Sequence, residues 1–191
     1  MLPRSPKITG EPRSPWAIKK IAKLREVQPV YSERLEYEAG ILKTLKHPNI
    51  VGYRAFSKKG ESVLAMEMGS QSLSDLMESR MEEKITENLE FKPFPAKHIL
   101  KVALDIASAL KYLHEKMKMI HGDLKSGNVL IFGDFQTVKL CDFGVSRKLN
   151  KDGTIQGDYV GTQLWSAMEV ILYEGGKASN FSMCYTISKY A

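Results

Sequence analysis

Apolar residues recur at helical spacing after Pro95: Ile99, Leu100, Ala103, Leu104, Ile106, Ala107, Leu110 and Leu113 form one broad stripe. The stripe predicts a long helix to about Lys116, with Pro95 as its first residue and core packing as the stripe's whole purpose. A second amphipathic helix is expected over 31–45, turning Leu35, Ile41, Leu42 and Leu45 inward and closed by Pro48. Short apolar runs at 16–22, 50–56 and 62–68 read as strands, the last two joined by a turn at Gly60. Residues 72–81 read as a short helix, followed by a charged, weakly patterned connection over 82–92. The runs 129–132 and 137–141 read as a hairpin turning at Gly133-Asp134.

Composition narrows the classes. The 191 residues are 43% hydrophobic and 26% charged, an ordinary globular balance, and no internal repeat interrupts it. The net charge of +6 is scattered, without a Lys/Arg block or an aromatic-interleaved basic stripe, so no nucleic-acid partner is expected. No apolar run approaches the roughly twenty residues of a membrane helix, and no membrane partner or signal peptide is expected. Cys141 and Cys184 form neither a disulfide framework nor a metal-ligand spacing, which suits a reducing interior. A soluble intracellular protein is expected, cytoplasmic, with a nuclear location left open. The first fifteen residues hold four of the eight prolines and two Ser-Pro pairs, Ser5-Pro6 and Ser14-Pro15, and read as a loop leading into the first strand.

The chemistry is concentrated in one octapeptide, His121-Gly122-Asp123-Leu124-Lys125-Ser126-Gly127-Asn128. Asp142-Phe143-Gly144 follows nineteen residues after Asp123. In this order and at this separation the two motifs resemble the catalytic loop and magnesium-binding signature of the protein kinases. That resemblance makes Asp123 the acceptor of a substrate hydroxyl's proton and sets Lys125 against the transferred phosphate. It also makes Asn128 and Asp142 the holders of Mg2+.

Other parts of the apparatus lie at matching places. Trp16-Ala17-Ile18-Lys19 matches the strand whose lysine binds the phosphates of ATP; alone, it would read as a surface lysine on an edge strand. The run Glu38-Ala39-Gly40-Ile41-Leu42-Lys43-Thr44-Leu45-Lys46-His47-Pro48-Asn49-Ile50-Val51 resembles the kinase helix that holds that lysine with a carboxylate. Glu38 is the expected partner, with Glu33 and Glu36 as solvated competitors. Met66-Glu67-Met68 resembles the hinge that binds the adenine edge through backbone groups. Met66 then stands behind the base, with Ala17 above it and Leu130 below. Gly161-Thr162-Gln163-Leu164-Trp165-Ser166-Ala167-Met168-Glu169 resembles the end of the activation segment, with Met168 in place of the usual proline. Thr162 and Lys125 point to serine/threonine specificity, with dual specificity left open.

The resemblance implies an α+β, bilobal fold. It implies a serine/threonine kinase of the mitogen-activated protein kinase kinase type that uses ATP and Mg2+ on protein substrates. Residues 1–68 would form the small lobe and hinge, 69–173 a partial large lobe, and 174–191 a divergent tail. Departures are also plain. There is no Gly-x-Gly-x-x-Gly, so the first strand and phosphate-covering loop are expected to be missing. The tail lacks the Asp expected to open the central helix of the large lobe. The ending Lys189-Tyr190-Ala191 is not one a PDZ domain would capture. Gly122 replaces an arginine that usually pairs with a phosphorylated activation segment, so phosphorylation at Thr154 or Tyr159 is expected not to be sensed that way. Two other readings stand beside active catalysis: an inactive binding or decoy protein, and an unstable fragment. A P-loop nucleotidase is excluded, because no Gly-x-x-x-x-Gly-Lys-Ser/Thr occurs.

Overall fold

The computed structural model describes residues 16–20, 28–59, 61–87, 93–153, 155 and 161–166. The loop before Trp16, the Gly60 turn, Thr154, Tyr159, Met168-Glu169 and the 174–191 tail lie outside the described residues.

Strand β1 (Trp16–Lys20), strand β2 (Tyr53–Ser57) and strand β3 (Val63–Glu67) form an antiparallel sheet in the order β1-β3-β2. Central β3 is an unbroken apolar run, Val63-Leu64-Ala65-Met66, and its successive residues Leu64, Ala65 and Met66 are all buried, so the strand is covered on both faces. Helix α1 (Gln28–Thr44) packs on β2 and β3 and starts three residues earlier than its apolar pattern predicts. Its buried face is Leu35, Glu38, Ala39 and Leu42, a 3–4 spacing that includes one carboxylate. Glu33 and Glu36 face solvent, and Glu36 pairs with exposed Lys58 at 2.6 Å. Burial therefore separates Glu38, the expected partner, from its competitors.

Residues 49–51 leave this sheet and run beside a second one. Val51 N donates to Leu140 O at 3.0 Å, and Leu140 N to Asn49 O at 2.9 Å. That second sheet holds β4 (Gln71–Ser72), β6 (Val129–Phe132) and β7 (Thr137–Leu140) in the order β4-β6-β7. The β6–β7 hairpin forms as its sequence predicts. Its four-residue turn puts Gly133 at φ 59 and Phe135 at φ 55.

Helix α2 (Leu73–Glu87) is longer than expected and absorbs much of the charged stretch assigned to a connection. Its start is fixed by a reciprocal cap: Asp75 N donates to Ser72 Oγ at 3.1 Å, and Ser72 N to Asp75 Oδ2 at 3.2 Å. A cap of this kind lets a polar helix begin without an apolar stripe to drive it.

Helix α3 (Ala96–Lys111) departs from its prediction in three ways. Pro95 is extended (φ −52, ψ 133) and caps the helix instead of opening it. The last turn, Tyr112–Lys116, is π-helical, closed by Met117 N donating to Tyr112 O at 3.1 Å. Tyr112 there stacks on His47 and accepts a hydrogen bond from Lys46 N. Third, core packing does not account for the whole stripe. Ile106, Ala109, Leu110 and Leu113 are buried, whereas Leu100 and Leu104 are each 60% exposed and Ile99 is 41% exposed. Among the described residues the hairpin covers only one face of α3. On that face Asp105 is buried, accepting from Val138 N at 2.9 Å and Lys101 Nζ at 3.0 Å.

Strand β5 (Met119–Ile120) pairs antiparallel with β8 (Arg147–Lys148), Met119 opposite Lys148 and Ile120 opposite Arg147. Two-residue strands carry no readable period, and neither was expected. Their pairing sets the chain entering the octapeptide beside the chain leaving Asp142-Phe143-Gly144.

Candidate active site

Two clusters of charged side chains sit at the junction of these elements. The first is centred on Lys19 of β1. Its Nζ lies 2.8 Å from Glu38 Oε2 and 3.0 Å from Asp142 Oδ1, so one ammonium joins β1, α1 and the segment after β7. Burial lowers the Lys19 pKa, but the Glu38 and Asp142 carboxylates together outweigh it, and the net direction is up. The ammonium is secured. Glu38 shows the other side of the same burial: its carboxyl is pushed up, and Lys19 offsets only part of that. The Phe143 backbone also hydrogen-bonds the Glu38 carboxylate. Asp142 sits in the left-handed region at φ 64, a conformation that Asp tolerates better than most residues.

The second cluster is centred on Asp123, and every lone-pair direction of its carboxylate is engaged. Thr162 donates to Oδ1 from its backbone N at 3.0 Å and from its hydroxyl at 2.6 Å. Asn128 Nδ2 and Lys125 Nζ lie 3.0 and 2.8 Å from Oδ2. Lys125 Nζ also reaches Thr162 Oγ1 at 2.8 Å, and Asn128 Nδ2 reaches Asp123 O at 2.7 Å. Burial alone would raise the Asp123 pKa, but the bonds from Lys125 and Thr162 reverse it, and the carboxyl is held below its usual value.

The two clusters share a backbone. Cys141 N donates to Asn128 O at 2.9 Å, and His121 Nε2 donates to Cys141 O at 2.9 Å. His121 Nδ1 in turn accepts from Asp123 N at 3.3 Å, which fixes the neutral tautomer. His121 is fully buried and meets Phe143 edge-on, with ring centroids 4.9 Å apart. The Cys141 thiol is pushed up to about 12 by burial and then by Asp142, so it stays protonated at neutral pH and is no nucleophile.

Burial lowers the His121 pKa, and this has a consequence for stability. Below about pH 6.5 the unfolded chain takes up a proton that the folded chain refuses. Stability is then lost as pH falls through that value towards the folded pKa. His121→Gln keeps a donor for Cys141 O and an acceptor for Asp123 N but cannot titrate. Between pH 7.5 and 5.5, thermal unfolding should show the parent losing about 1 kcal/mol more than the variant. His47 and His114, also lowered by burial, act equally in both chains. Parallel pH profiles would reject this assignment.

The residues expected to enclose adenine are placed less tightly. Ala17 and Met66 are buried and directly opposed in the β1–β3 register. Leu130 is half-buried on the other sheet, and a side chain at Gly69 would come within 3.0 Å of it. Met68 is half-buried at the exit of β3. Glu67 differs from the simple hinge reading. Its N–H is spent on Gly52 O at 2.9 Å, and its carboxylate holds Gly52 N and Lys139 Nζ, the latter at 2.7 Å.

Two features were not apparent in the motifs themselves. Thr162, expected only as a specificity marker, touches both Asp123 and Lys125. Gly122, expected only as a missing arginine, lies at φ +86, and a Cβ there would meet Val145 O at 2.8 Å. The backbone reversal that presents Asp123 thus favours glycine.

Among the described residues no three His, Cys, Asp or Glu side chains group as a metal site. Magnesium takes one or two protein oxygens and completes its shell with water and phosphate. The Asp142 carboxylate is a hard donor of this kind. So is the Asn128 amide oxygen, the end left once Nδ2 is spent on Asp123.

A strand lysine pinned to a helix carboxylate and to the Asp of Asp-Phe-Gly, beside a His-x-Asp loop, is the arrangement that the protein-kinase resemblance implies. The protein kinase domain model matches residues 8–186, and the chain belongs to the protein kinase family. It is 46% identical over 198 residues to the human lymphokine-activated killer T-cell-originated protein kinase (PDZ-binding kinase), covering 98% of this chain and 59% of that one. It is 32% identical over 178 residues to the kinase and exchange factor for Rac B of Dictyostelium discoideum, covering 90% of this chain and 15% of that one. It is also 32% identical over 155 residues to the mouse serine/threonine-protein kinase Nek4, covering 81% and 18%. The chain thus spans less than two thirds of the length of each of these relatives.

Proposed function

We propose that this chain transfers the γ-phosphate of ATP to serine and threonine hydroxyls of protein substrates, in the manner of a mitogen-activated protein kinase kinase. The observation that carries the reading is Lys19 held at once by Glu38 and Asp142, at 2.8 and 3.0 Å. An ammonium so fixed is poised for phosphate oxygens and costs little reorganisation when they arrive. In this reading residues 1–68 form the small lobe and hinge, and 69–173 belong to the large lobe. Ala17, Met66, Met68 and Leu130 enclose the adenine, and a backbone group of the Glu67–Met68 stretch other than the Glu67 N–H meets its edge.

To bind the incoming hydroxyl and point it at the phosphate, Asp123 exchanges one of the four hydrogen bonds it accepts in this structure. With its pKa lowered it is a weak base, so it orients the nucleophile and takes the proton late, as phosphate bonding advances. Lys125 follows the transferred phosphate, and Thr162 holds Lys125 and Asp123 at a common distance. Asn128 and Asp142 would hold magnesium, whose contribution when bound is to neutralise phosphate charge. A threonine lodged between Asp123 and Lys125 supports hydroxyls of serine and threonine as substrates.

The test is thermal unfolding with ATP, with and without magnesium, followed by transfer of labelled phosphate to myelin basic protein. A magnesium-dependent rise in melting temperature together with transfer is expected. A rise without transfer would replace the reading with that of a nucleotide-binding protein, and no rise would end it.

A further inference from the structure

We propose that Tyr37 is a positioning residue for phosphoryl transfer: its hydroxyl ties helix α1 to the segment that follows Asp142-Phe143-Gly144. This rests on the kinase reading above. Tyr37 Oη donates to Ser146 O at 2.7 Å. Ser146 is fully buried, and its own hydroxyl donates to His121 O at 2.7 Å. Its N–H donates to Phe143 O at 3.2 Å. Tyr37, Ser146 and His121 thus make a continuous link from α1 to the catalytic loop.

The neighbouring residue holds the other side. Glu38 engages Lys19 and the Phe143 backbone, while Tyr37 engages Ser146. Successive helix residues point about 100° apart. The pair therefore reaches this stretch at two points, Glu38 at the Phe143 backbone and Tyr37 at Ser146 O. Glu38 also serves the nucleotide lysine, whereas Tyr37 touches no residue assigned to substrate. Tyr37 is 41% exposed, so burial alone does not fix where it sits. The hydrogen bond to Ser146 O gives its hydroxyl a defined position.

Gly122 explains why the tie comes from the helix. Val145 O occupies the place a side chain at 122 would take, at 2.8 Å from its Cβ. The catalytic loop therefore offers no side chain from that position to hold the segment. The helix adds its own tie, from Tyr37, beside the β5–β8 pairing and the Ser146 hydroxyl's bond to His121 O. Lys19 on β1 meets Glu38 on α1 at 2.8 Å, so a bond that holds α1 in this place favours molecules with the pair formed.

Tyr37→Phe keeps the ring and removes the donor. We expect kcat for myelin basic protein to fall about fivefold to tenfold, with the KM for ATP changed by less than about twofold. Hydrogen exchange should quicken over residues 145–149 and stay unchanged in the β6–β7 hairpin. Combining Tyr37→Phe with Ser146→Ala should cost less than the product of the single losses, since both break one link. An unchanged kcat, or exchange that quickens uniformly, would overturn the proposal. Transfer by the parent chain reports separately on the kinase reading. If the parent is inactive, that reading falls, and the exchange pattern still decides whether the tie exists.

Discussion

Asp123→Asn will lower kcat by about two to four orders of magnitude while leaving ATP affinity within about threefold. The carboxylate now accepts four hydrogen bonds, two on each oxygen, from Thr162, Asn128 and Lys125. An amide is isosteric but turns one oxygen into a donor. Whichever way it is flipped, an N–H must face another N–H: Thr162 N on one side, or Asn128 and Lys125 on the other. The side chain then loses both its proton-accepting oxygen and the geometry that aims the hydroxyl. The bonds in question lie on the acceptor side of the site, away from Lys19, so nucleotide binding should survive. Steady-state transfer kinetics, with binding read from the ATP-induced shift in melting temperature, check both halves. A loss below tenfold would remove Asp123 from the reaction, and a collapse of ATP affinity would show that the two clusters are not separate.

Lys19→Met will lower kcat/KM for ATP by about 100-fold or more. Removing the ammonium does more than delete a phosphate contact. Glu38, its carboxyl already pushed up by burial and its side chain only 3% exposed, is left beside Asp142 with nothing between them. It will resolve the repulsion by taking a proton or by moving away with α1. The Lys19 side chain is 40% exposed, so solvent screens part of the pairing and the stability loss should be modest, about 1 kcal/mol. A double variant, Lys19→Met with Glu38→Gln, should be no worse than Lys19→Met alone by more than about threefold, because Glu38 acts by holding Lys19. Multiplicative losses would instead give Glu38 an independent role.

Much of this site can be read along the chain because its parts are short and their spacing is covalent. His121 to Asn128 lie on one loop, and Asp142 follows one hairpin later, so eight residues and a two-strand excursion record most of the chemistry. Glu38 is distinguishable from Glu33 and Glu36 because it alone falls on the buried 35/38/39/42 face. The stripe of α3 shows the limit of the same logic. Periodicity marks an apolar face, but the width of whatever packs against it decides which residues are buried; hence Leu100 and Leu104 remain exposed while Asp105 goes inside to meet Val138 N. Charge misleads similarly over 82–87, where the helix is set by the Ser72–Asp75 cap ten residues upstream.

The sequence by itself determined the family and the α+β class, and it singled out Lys19, Glu38, Asp123, Lys125, Asn128 and Asp142 as candidates, because each belongs to a local pattern. Only the tertiary structure decided that Thr162 closes on Asp123, that Val145 crowds Gly122, that β5 meets β8, and that Tyr37 reaches Ser146. Those contacts join residues up to 109 positions apart. A hydrogen bond or a close approach depends on where the chain returns in space, and no period or spacing along the chain records that.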